Sequence, residues 1–329
     1  MVLSEVGKPL QLKEVPKPTP QPHQVLIRIL CCAICRTDRH ILDGELPTPH
    51  LPLILGHQIV GVIEKVGDKV VHFHIGDRVG VPWLGGACQT CGYCQEGREN
   101  LCDQTLLTGY QINGGFAEYC VADGSFIFSI PENYTSVQVA PLLCGGLIGY
   151  RALRLTTGCH PNKNWGFWGF GSSAHILTQI VHAQGGNVYA FTKKGHPESQ
   201  LFAKKMGVIW AGDSDQQPPI PLDAAILFAP VGELIPKALK SIKKGAVVVC
   251  AGIHMSDIPS FAYKLLWGER VLRSVANLTR QDGIDFFSLI SKISITTEVS
   301  TYRLEEVNKA LDDLRKGAFL GSAVIIIDN

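Results

Sequence analysis

Four cysteines are concentrated in one short stretch of the sequence, GGACQTCGYCQEGRENLC, at residues 85–102. Two, two and seven residues separate Cys88, Cys91, Cys94 and Cys102, a spacing that suits a loop folding four thiolates tetrahedrally around one zinc ion. Because protein atoms would fill all four positions, no place is left for water or substrate. The sequence therefore predicts a closed zinc site with a structural role.

Two alternative roles for this cluster fit the sequence less well. Buried cysteines placed by chance are rarely so dense. A nucleic-acid-binding zinc ribbon needs basic residues around its cysteines, whereas this segment has Arg98 against Glu96 and Glu99. Lys plus Arg number 30 in the whole chain and Asp plus Glu number 29, without any basic run that could follow a phosphate backbone. We therefore expect no nucleic-acid partner.

The first residues of the sequence are not expected to form a signal peptide. Its first residues, MVLSEVGKPLQLKEV, carry charges at Glu5, Lys8, Lys13 and Glu14, where a signal peptide has an unbroken apolar core. No stretch approaches the ~18 apolar residues of a membrane span. These features predict a cytoplasmic protein without a membrane partner. In such a reducing compartment, the eleven cysteines are more often metal ligands than disulfides.

The pattern of strands and helices changes along the 329 residues, a length of about two typical domains. Short β-branched runs such as QVLIRIL (24–30) and IVGVIEKV (59–66) make the first part mostly β. Strands alternate with helices from residue 165, as in NWGFWGFG, SSAHILTQIVHAQ and NVYAFT, and further buried strands are expected at 223–230, 246–252 and 271–277. The fold class predicted is α/β, with a mostly-β catalytic domain and a doubly wound parallel Rossmann domain.

The predicted boundaries follow from this change of pattern. The last fifty residues, with the helix LEEVNKALDDLRKG and the strand SAVIIID, are expected to return to the first domain. We therefore assign residues 1–147 and 277–329 to the catalytic, zinc-binding domain and 148–276 to the dinucleotide-binding domain.

The stretch WGFWGFGSSA is typical of a nucleotide-binding turn, in which a buried strand leads into a helix whose free N–H groups can receive a pyrophosphate. Gly169 and Gly171 permit the tight turn and the close approach of the phosphates, and Ala174 takes the place of the third glycine. About twenty residues later, Thr192 ends the second strand, where NAD-binding folds often have an acid that binds the ribose.

Three further potential ligands are spread over the first domain, at Cys35, His57 and Cys144. Two thiolates and one imidazole with a vacant fourth position describe a catalytic zinc, because the open position takes water or a substrate oxygen. A lone cysteine is usually a small core hydrophobe. The remaining cysteines are interpreted in that way: Cys31, Cys32, Cys120, Cys159 and Cys250.

These motifs occur in a characteristic order: C-x-T-D-x-H at 35–40, G-H-x at 56–58, the four-cysteine segment, the isolated Cys144, and G-x-G-x-x-A at 169–174. In this order, nearly from end to end, the chain resembles the zinc-dependent alcohol dehydrogenases of the medium-chain dehydrogenase/reductase superfamily. The resemblance implies a GroES-like catalytic domain, a small-molecule alcohol or aldehyde substrate, and a homo-oligomer (dimer or tetramer). It also implies two zinc ions, one catalytic and one structural.

The resemblance assigns roles to the residues around the open site. It implies that Cys35, His57 and Cys144 bind the catalytic zinc and that Asp38 orients His57. Thr37 would accept the alcohol proton and pass it, through the cofactor ribose, to His40 at the surface. The alternative is that Thr37 is a helix-capping hydroxyl and His40 a solvated histidine. By analogy with the family, the substrate pocket would be lined by Leu46, Trp83 and Tyr110, with core packing as the alternative for Trp83.

The cofactor preference is predicted from the end of the second strand. Thr192 cannot repel a 2′-phosphate as an acid would, and Lys193 and Lys194 follow it directly, so NADP(H) is expected, with NAD(H) as a usable second cofactor. Three positions depart from the family's pattern. Gln58 replaces a glutamate, Ile148 a threonine, and Ser322 an arginine that would bind the pyrophosphate.

The sequence thus predicts a zinc-dependent oxidoreductase that transfers a hydride between an alcohol and NAD(P). A zinc-independent enone or quinone reductase of the same superfamily is one alternative, since it would not need Cys35, His57 and Cys144 together. A non-catalytic, zinc-stabilised nucleotide-binding protein is the other.

Overall fold

The structure is a computed structural model that describes residues 1–47, 49–156, 158 and 160–327. Cys159, predicted to be a core cysteine, lies outside the described residues. The chain divides into two compact units: unit 1 consists of Met1–Leu147 with Asn277–Asn329, and unit 2 consists of Ile148–Ala276.

Strands and helices are numbered in chain order. The strands are β1 Val2–Leu3, β2 Gln24–Ile34, β3 Leu53–Ile54, β4 Ile59–Val66, β5 Arg78–Val81, β6 Leu84–Gly86, β7 Leu106–Leu107, β8 Tyr119–Asp123, β9 Phe128–Ser129, β10 Asn164–Trp168, β11 Asn187–Thr192, β12 Trp210–Asp213, β13 Leu222–Leu227, β14 Ile242–Cys250, β15 Val271–Ser274, β16 Val299–Arg303 and β17 Ser322–Ile326. The α-helices are α1 Arg36–Asp43, α2 Gly92–Gln95, α3 Ser136–Val139, α4 Gly145–Arg154, α5 Ser172–Ala183, α6 Pro197–Lys205, α7 Leu234–Ser241, α8 Arg280–Ile290 and α9 Val307–Lys316. Short 3-10 helices are formed by Glu99–Leu101, Ala140–Leu143, Tyr263–Leu265 and Leu304–Glu306.

Unit 1 is built on a seven-stranded sheet in the order β16-β17-β2-β4-β5-β9, with β8 also paired to β2. The long strand β2 is central because it pairs antiparallel with β4, β8 and β17. Its apolar side chains, such as Val25, Ile27 and Ile29, are fully buried in the core of the unit. The pairing of β17 with β2 brings the C-terminal strand into the sheet formed by the N-terminal half of the chain.

Unit 2 contains a six-stranded sheet in the order β12-β11-β10-β13-β14-β15, in which every neighbouring pair is parallel. Renumbered within the unit, this order is 3-2-1-4-5-6, the arrangement of dinucleotide-binding folds, in which ligands bind beyond the carboxyl ends of the strands where the order reverses. The predicted fold class is therefore confirmed.

Helix α5 connects the first two strands of unit 2 and shows why the sequence forms a helix there. Ile176, Leu177, Ile180 and Val181 recur at the spacing of one helical face, and each of these side chains is fully buried. Gly185, with φ at 78°, follows the helix in the left-handed conformation that commonly ends helices. This prediction is confirmed.

The prediction for residues 271–277 is wrong in one respect. A strand is present as β15, but it is not buried, since Val271 is 44% exposed. The reason is its position at the edge of the sheet, where β14 is its one partner among the described strands. An apolar run predicts a strand but does not show whether that strand is central or at the edge of the sheet.

Among the helices of the described residues, we find none with the length and apolar character that crossing a bilayer requires.

Candidate active site

The three predicted ligands of the open site lie together in unit 1, although they are far apart in the sequence. Cys35 is the N-cap of α1, directly after the central strand β2. His57 precedes β4, and Cys144 lies between a 3-10 helix and α4. Their ligand atoms are all within 4.8 Å of one another, and the Sγ atoms of Cys35 and Cys144 are 3.8 Å apart.

This geometry fits a tetrahedral metal ion. Two sulfurs that each lie about 2.3 Å from a tetrahedral zinc are about 3.8 Å apart, which matches the separation of Cys35 and Cys144. The Nε2 atom of His57 is buried and has no hydrogen-bond partner among the described residues. A buried polar atom without a partner is costly, and a cation bound between this nitrogen and the two sulfurs would give it one.

Asp38 positions two of the three ligands. Its Oδ1 accepts hydrogen bonds from Nδ1 of His57 at 3.0 Å and from the backbone N–H of Gly56 at 3.2 Å, and its Oδ2 accepts one from the backbone N–H of Cys35 at 2.8 Å. The Asp38 side chain is fully buried. Because Nδ1 of His57 is occupied in this way, Nε2 is directed to the cluster, as in metal sites where a carboxylate orients a ligating histidine.

The site favours charged side chains even without a bound cation. Burial opposes the charged form of His57, but the Asp38 carboxylate and the Cys35 sulfur outweigh it and raise the pKa of the imidazole to about 10. A hydrogen bond from the Cys144 thiol, against the effect of burial, and the nearby His57 hold the pKa of Cys35 well below its usual range. The Asp38 carboxylate and the Cys35 sulfur thus surround the imidazole with negative charge, and a bound cation would take the place of the proton on Nε2.

Thr37 and His40 are one helical turn apart on α1, so their side chains lie on the same face. Thr37 is buried, and its Oγ1 lies 3.6 Å from Cys35 Sγ, which places the hydroxyl beside the predicted metal ligands. It does not cap the helix, since Cys35 has the N-cap position.

The expectation that His40 lies at the surface is wrong. The residue is only 7% exposed, and its Nδ1 donates a hydrogen bond to the carboxylate of Glu45. The reason is the end of α1, where Gly44 adopts φ 74° and turns the following segment back over the last turn. No sequence pattern singles out Glu45 as a partner of this histidine.

The four-cysteine cluster also assembles as a compact group. All four sulfurs lie within 4.8 Å of one another, with Cys88 at 3.9 Å from Cys94 and 3.5 Å from Cys102. The backbone N–H groups of Thr90 and Cys91 lower the pKa of Cys88 to about 6. Backbone donors directed at sulfur stabilise a thiolate, so this segment fits a closed four-thiolate site.

A buried carboxylate connects the four-cysteine segment to the start of α8. Glu99, only 2% exposed, accepts hydrogen bonds from the backbone N–H of Arg280 at 2.7 Å and from its Nε at 3.1 Å. In the sequence, Glu99 is simply one of two acids that lie among the cysteines. The two residues are 181 positions apart, so no local pattern could have paired them.

The nucleotide-binding turn of unit 2 has the predicted local geometry. Gly169 adopts φ 89°, and a Cβ there would lie 2.8 Å from the backbone nitrogen of Ala229. Gly171 is the N-cap of α5, with open space where its side chain would be, so a ligand can approach the first turn of the helix. Ala174 is fully buried in that helix.

Thr192 is the last residue of β11, as predicted, and its Oγ1 donates to the carbonyl of Gly212 at 3.4 Å. Lys193 and Lys194 follow it and are exposed, and Nζ of Lys194 lies 3.4 Å from a carboxylate oxygen of Asp215. Ser322, the residue at the family's arginine position, is buried at the start of β17.

The predicted pocket residues occupy different environments within unit 1. Trp83 is buried, with its ring 5.5 Å from the ring of His57 and tilted by 38°. Tyr110 is also buried and donates its hydroxyl to the carbonyl of Pro47 at 2.5 Å. Leu46 packs partly buried against the core of the unit. Trp83 is therefore a pocket candidate whose ring contacts a metal-ligand candidate.

Comparison with known proteins agrees with this site and fold. Residues 21–132 match the alcohol dehydrogenase GroES-like domain family. The chain is 40% identical over 325 residues to a probable alcohol dehydrogenase, AdhA, of Mycobacterium tuberculosis, which covers 97% of this chain and 93% of that protein. It is 36% identical to an alcohol dehydrogenase of Geobacillus stearothermophilus, with 99% of both chains covered.

A solved structure shares the architecture at lower identity. The crystal structure of CAD from Helicobacter pylori complexed with NADP(H) superposes with a TM-score of 0.84 at 26% identity and covers 93% of this chain and 91% of that one. Together with the full-length sequence relatives, this likeness shows that the chain belongs to the alcohol dehydrogenases of the medium-chain dehydrogenase/reductase superfamily.

Proposed function

We propose that this chain interconverts an alcohol and its aldehyde or ketone, with a hydride transferred to or from NAD(P), at a zinc site formed by Cys35, His57 and Cys144. The observation that carries the proposal is the buried group of two thiols and one imidazole, in which Nε2 of His57 has no partner among the described residues. Three ligands leave the fourth position of a tetrahedral ion open for a substrate oxygen. The relationship to alcohol dehydrogenases supports this assignment.

Other residues of the site would orient the metal ligands and accept the alcohol proton. A bound zinc would supply Lewis acidity, which favours loss of the alcohol proton and, in reverse, polarises a carbonyl. Asp38 holds Nδ1 of His57 and the backbone of Cys35, so both ligands keep their orientation. Thr37, with its hydroxyl beside Cys35, would accept the alcohol proton, and His40, one helical turn further along α1, would receive it.

The nucleotide is assigned to unit 2. Its pyrophosphate would lie at the N-terminus of α5, where Gly171 leaves space, and the adenosine ribose would lie near Thr192 at the end of β11. The complex of the Helicobacter pylori protein with NADP(H) supports a nicotinamide cofactor for this chain. Of the two cofactors we favour NADP(H), because no acid ends β11 and two lysines follow it.

The first test is an activity trace combined with metal analysis. Purified protein should oxidise NADPH in the presence of an aldehyde, contain two zinc ions per chain, and lose turnover when a chelator removes one of them. A panel of alcohols and carbonyl compounds, followed at the nicotinamide absorbance, then defines the substrate. Turnover of an enone that survives removal of the metal would instead support the zinc-independent reductase. Tight nucleotide binding without turnover of any substrate would support the non-catalytic alternative.

The lysines after β11 lead to a prediction about cofactor choice. Each exposed contact to a 2′-phosphate is worth about 1 kcal/mol, or roughly fivefold. We expect Lys193→Ala to lower kcat/KM for NADPH about fivefold with little change for NADH. Lys194→Ala should have a smaller effect, because Lys194 is already near Asp215. The measurement is kcat/KM with both cofactors, one aldehyde and fixed salt.

Lys204→Ala is the control for this comparison, since it removes an exposed lysine from α6 in the same unit. It should leave the ratio of the two kcat/KM values unchanged. A tenfold advantage for NADH in the wild type, or a preference that neither loop lysine alters, would show that this loop does not recognise the phosphate.

A further inference from the structure

Glu99 lies inside the four-cysteine segment but has its partner outside it. It belongs to the 3-10 helix Glu99–Leu101, which ends directly before Cys102. Its buried Oε1 accepts hydrogen bonds from the backbone N–H and the Nε of Arg280, the first residue of α8. The first N–H groups of a helix have no acceptor within the helix, and a carboxylate is favoured at that end. The cysteine segment therefore supplies the group that anchors the start of α8.

Helix α8 buries one of its faces within unit 1. Gly283, Phe286, Phe287 and Ile290 recur at the spacing of a helical face, and all four are buried. A Cβ at Gly283 would overlap the ring of Phe128 in β9, and the rings of Phe128 and Phe287 are 5.4 Å apart. Because closely packed interiors leave little free volume, a displacement at the start of α8 is transmitted to this face.

The same face of α8 contacts the backbone that follows Cys144. Phe286 is fully buried, and a Cβ at Gly146 would lie 2.7 Å from its Cζ and 3.2 Å from Cβ of Leu142. The phenyl ring thus occupies the space that a side chain at Gly146 would need. Gly146 is two residues after Cys144, whose Sγ lies 3.8 Å from that of Cys35 in the open site. Helix α8 therefore contacts both cysteine groups, directly through Arg280 and through the neighbour of a predicted metal ligand.

The helix itself does not depend on Glu99. The N-cap residue Thr279 accepts a hydrogen bond from the backbone N–H of Asp282, and Asp282 in turn accepts one from the backbone N–H of Thr279. This capping box remains when Glu99 is replaced. We therefore expect variants of Glu99 to keep α8 while losing its attachment to the cysteine segment.

We propose that Glu99 is a positioning residue of the dehydrogenase reaction, which holds α8 so that Phe286 keeps the chain next to Cys144 in the geometry required by a metal ion at the open site. The inference rests on the proposed function. Replacing groups that orient metal ligands without touching the metal typically costs about 10–100-fold in metal affinity or activity. The four-cysteine segment would thus support the open site as well as the fold.

The direct test compares Glu99→Ala with Glu99→Gln. Alanine leaves the backbone N–H of Arg280 without this acceptor, whereas glutamine keeps an amide oxygen that can accept. In Glu99→Ala we expect the zinc ion of the open site to pass to a chelator about tenfold faster and kcat to fall about fivefold to tenfold. Glu99→Gln should show smaller changes, and KM for the cofactor should stay near the wild-type value in both. With cobalt in the open site, the visible absorption should shift in Glu99→Ala, because it reports the ligand geometry.

A further readout does not depend on turnover. Hydrogen exchange of the backbone at residues 140–147, measured on the protein as purified, should be faster in Glu99→Ala than in the wild type. Phe286→Leu, which shortens the side chain against Gly146, should have the same effect. The double variant should be no worse than the worse single variant, because both substitutions act on one contact. Effects that multiply would show that the two residues act independently and would overturn the proposal.

Glu96→Gln is the matched control. It changes the other acid of the cysteine segment, which is exposed and lies 3.2 Å from Arg98. It should match the wild type in metal release, cobalt spectrum, hydrogen exchange and kcat. A loss that Glu96→Gln reproduces, or a Glu99→Ala protein that is less stable but unchanged at the open site, would contradict the role of Glu99. Wild-type protein without turnover of any alcohol would contradict the proposed function instead, and metal release and hydrogen exchange would still decide the role of Glu99.

Discussion

Replacement of Cys144 by serine is expected to abolish turnover while the protein remains folded. Cys144 supplies one of the two sulfurs of the open site, 3.8 Å from the other. A zinc ion contributes several kcal/mol of charge stabilisation to such a reaction, and about 4 kcal/mol corresponds to about 10³-fold in rate. We therefore expect kcat/KM to fall by about 10³-fold or more. Metal analysis should find one zinc ion fewer per chain.

Cys120→Ser is the control for this substitution, because Cys120 is as buried as Cys144 but lies in β8, outside both cysteine groups. The same exchange of sulfur for oxygen there should cost stability without removing metal or turnover. Thermal unfolding and circular dichroism separate the two effects. If Cys144→Ser kept its zinc and more than a tenth of wild-type kcat/KM, the assignment of the open site would be wrong.

Replacement of Cys91 by serine is expected to have its largest effect on stability. The four sulfurs of Cys88, Cys91, Cys94 and Cys102 form a closed group, so losing one ligand opens it and weakens metal binding that is coupled to folding. Structural zinc is worth about 10 kcal/mol or more in small domains. Since 1 kcal/mol shifts Tm by about 2–4 °C in a protein of 150–250 residues, even a part of that loss lowers Tm by about 10 °C or more.

Gln95→Ala is the comparison, as it changes an exposed residue of the same short helix, α2, and no thiol. It should unfold within about 1–2 °C of the wild type, because exposed substitutions of this kind are usually worth less than about 0.5 kcal/mol. Residual activity measured well below Tm should be higher in Cys91→Ser than in Cys144→Ser. A wild-type chain that is folded and active with a single zinc ion would remove the basis of both predictions.

Much of the fold could be predicted because its signals are local. Strand β11 begins and ends where NVYAFT does, and the four apolar residues expected on one face of α5 are fully buried. The parallel sheet of unit 2 follows from strands that alternate with helices. The exposure of β15 could not be predicted, since the rank of a strand in a sheet depends on all the others.

Residue type and spacing were sufficient for the features that lie within one loop or turn. The four cysteines at 88–102 are close in space because few residues separate them, and the glycines at 169 and 171 act on the turn that contains them. The grouping of Cys35, His57 and Cys144 was predicted from the family resemblance. Sequence spacing does not predict that residues 109 positions apart lie close in space.

The partners of the groups around these motifs were set only by tertiary packing. Because of this packing, the carboxylate of Asp38 accepts hydrogen bonds from the His57 ring and the Cys35 backbone. Packing also buries His40 against Glu45 and brings Glu99 to Arg280. Each of these contacts depends on where a helix ends or how distant segments pack within unit 1. That packing decides whether a polar side chain is hydrogen-bonded within the protein or exposed to solvent. Because the packing forms cooperatively over the whole fold, residue type and spacing alone do not predict these contacts.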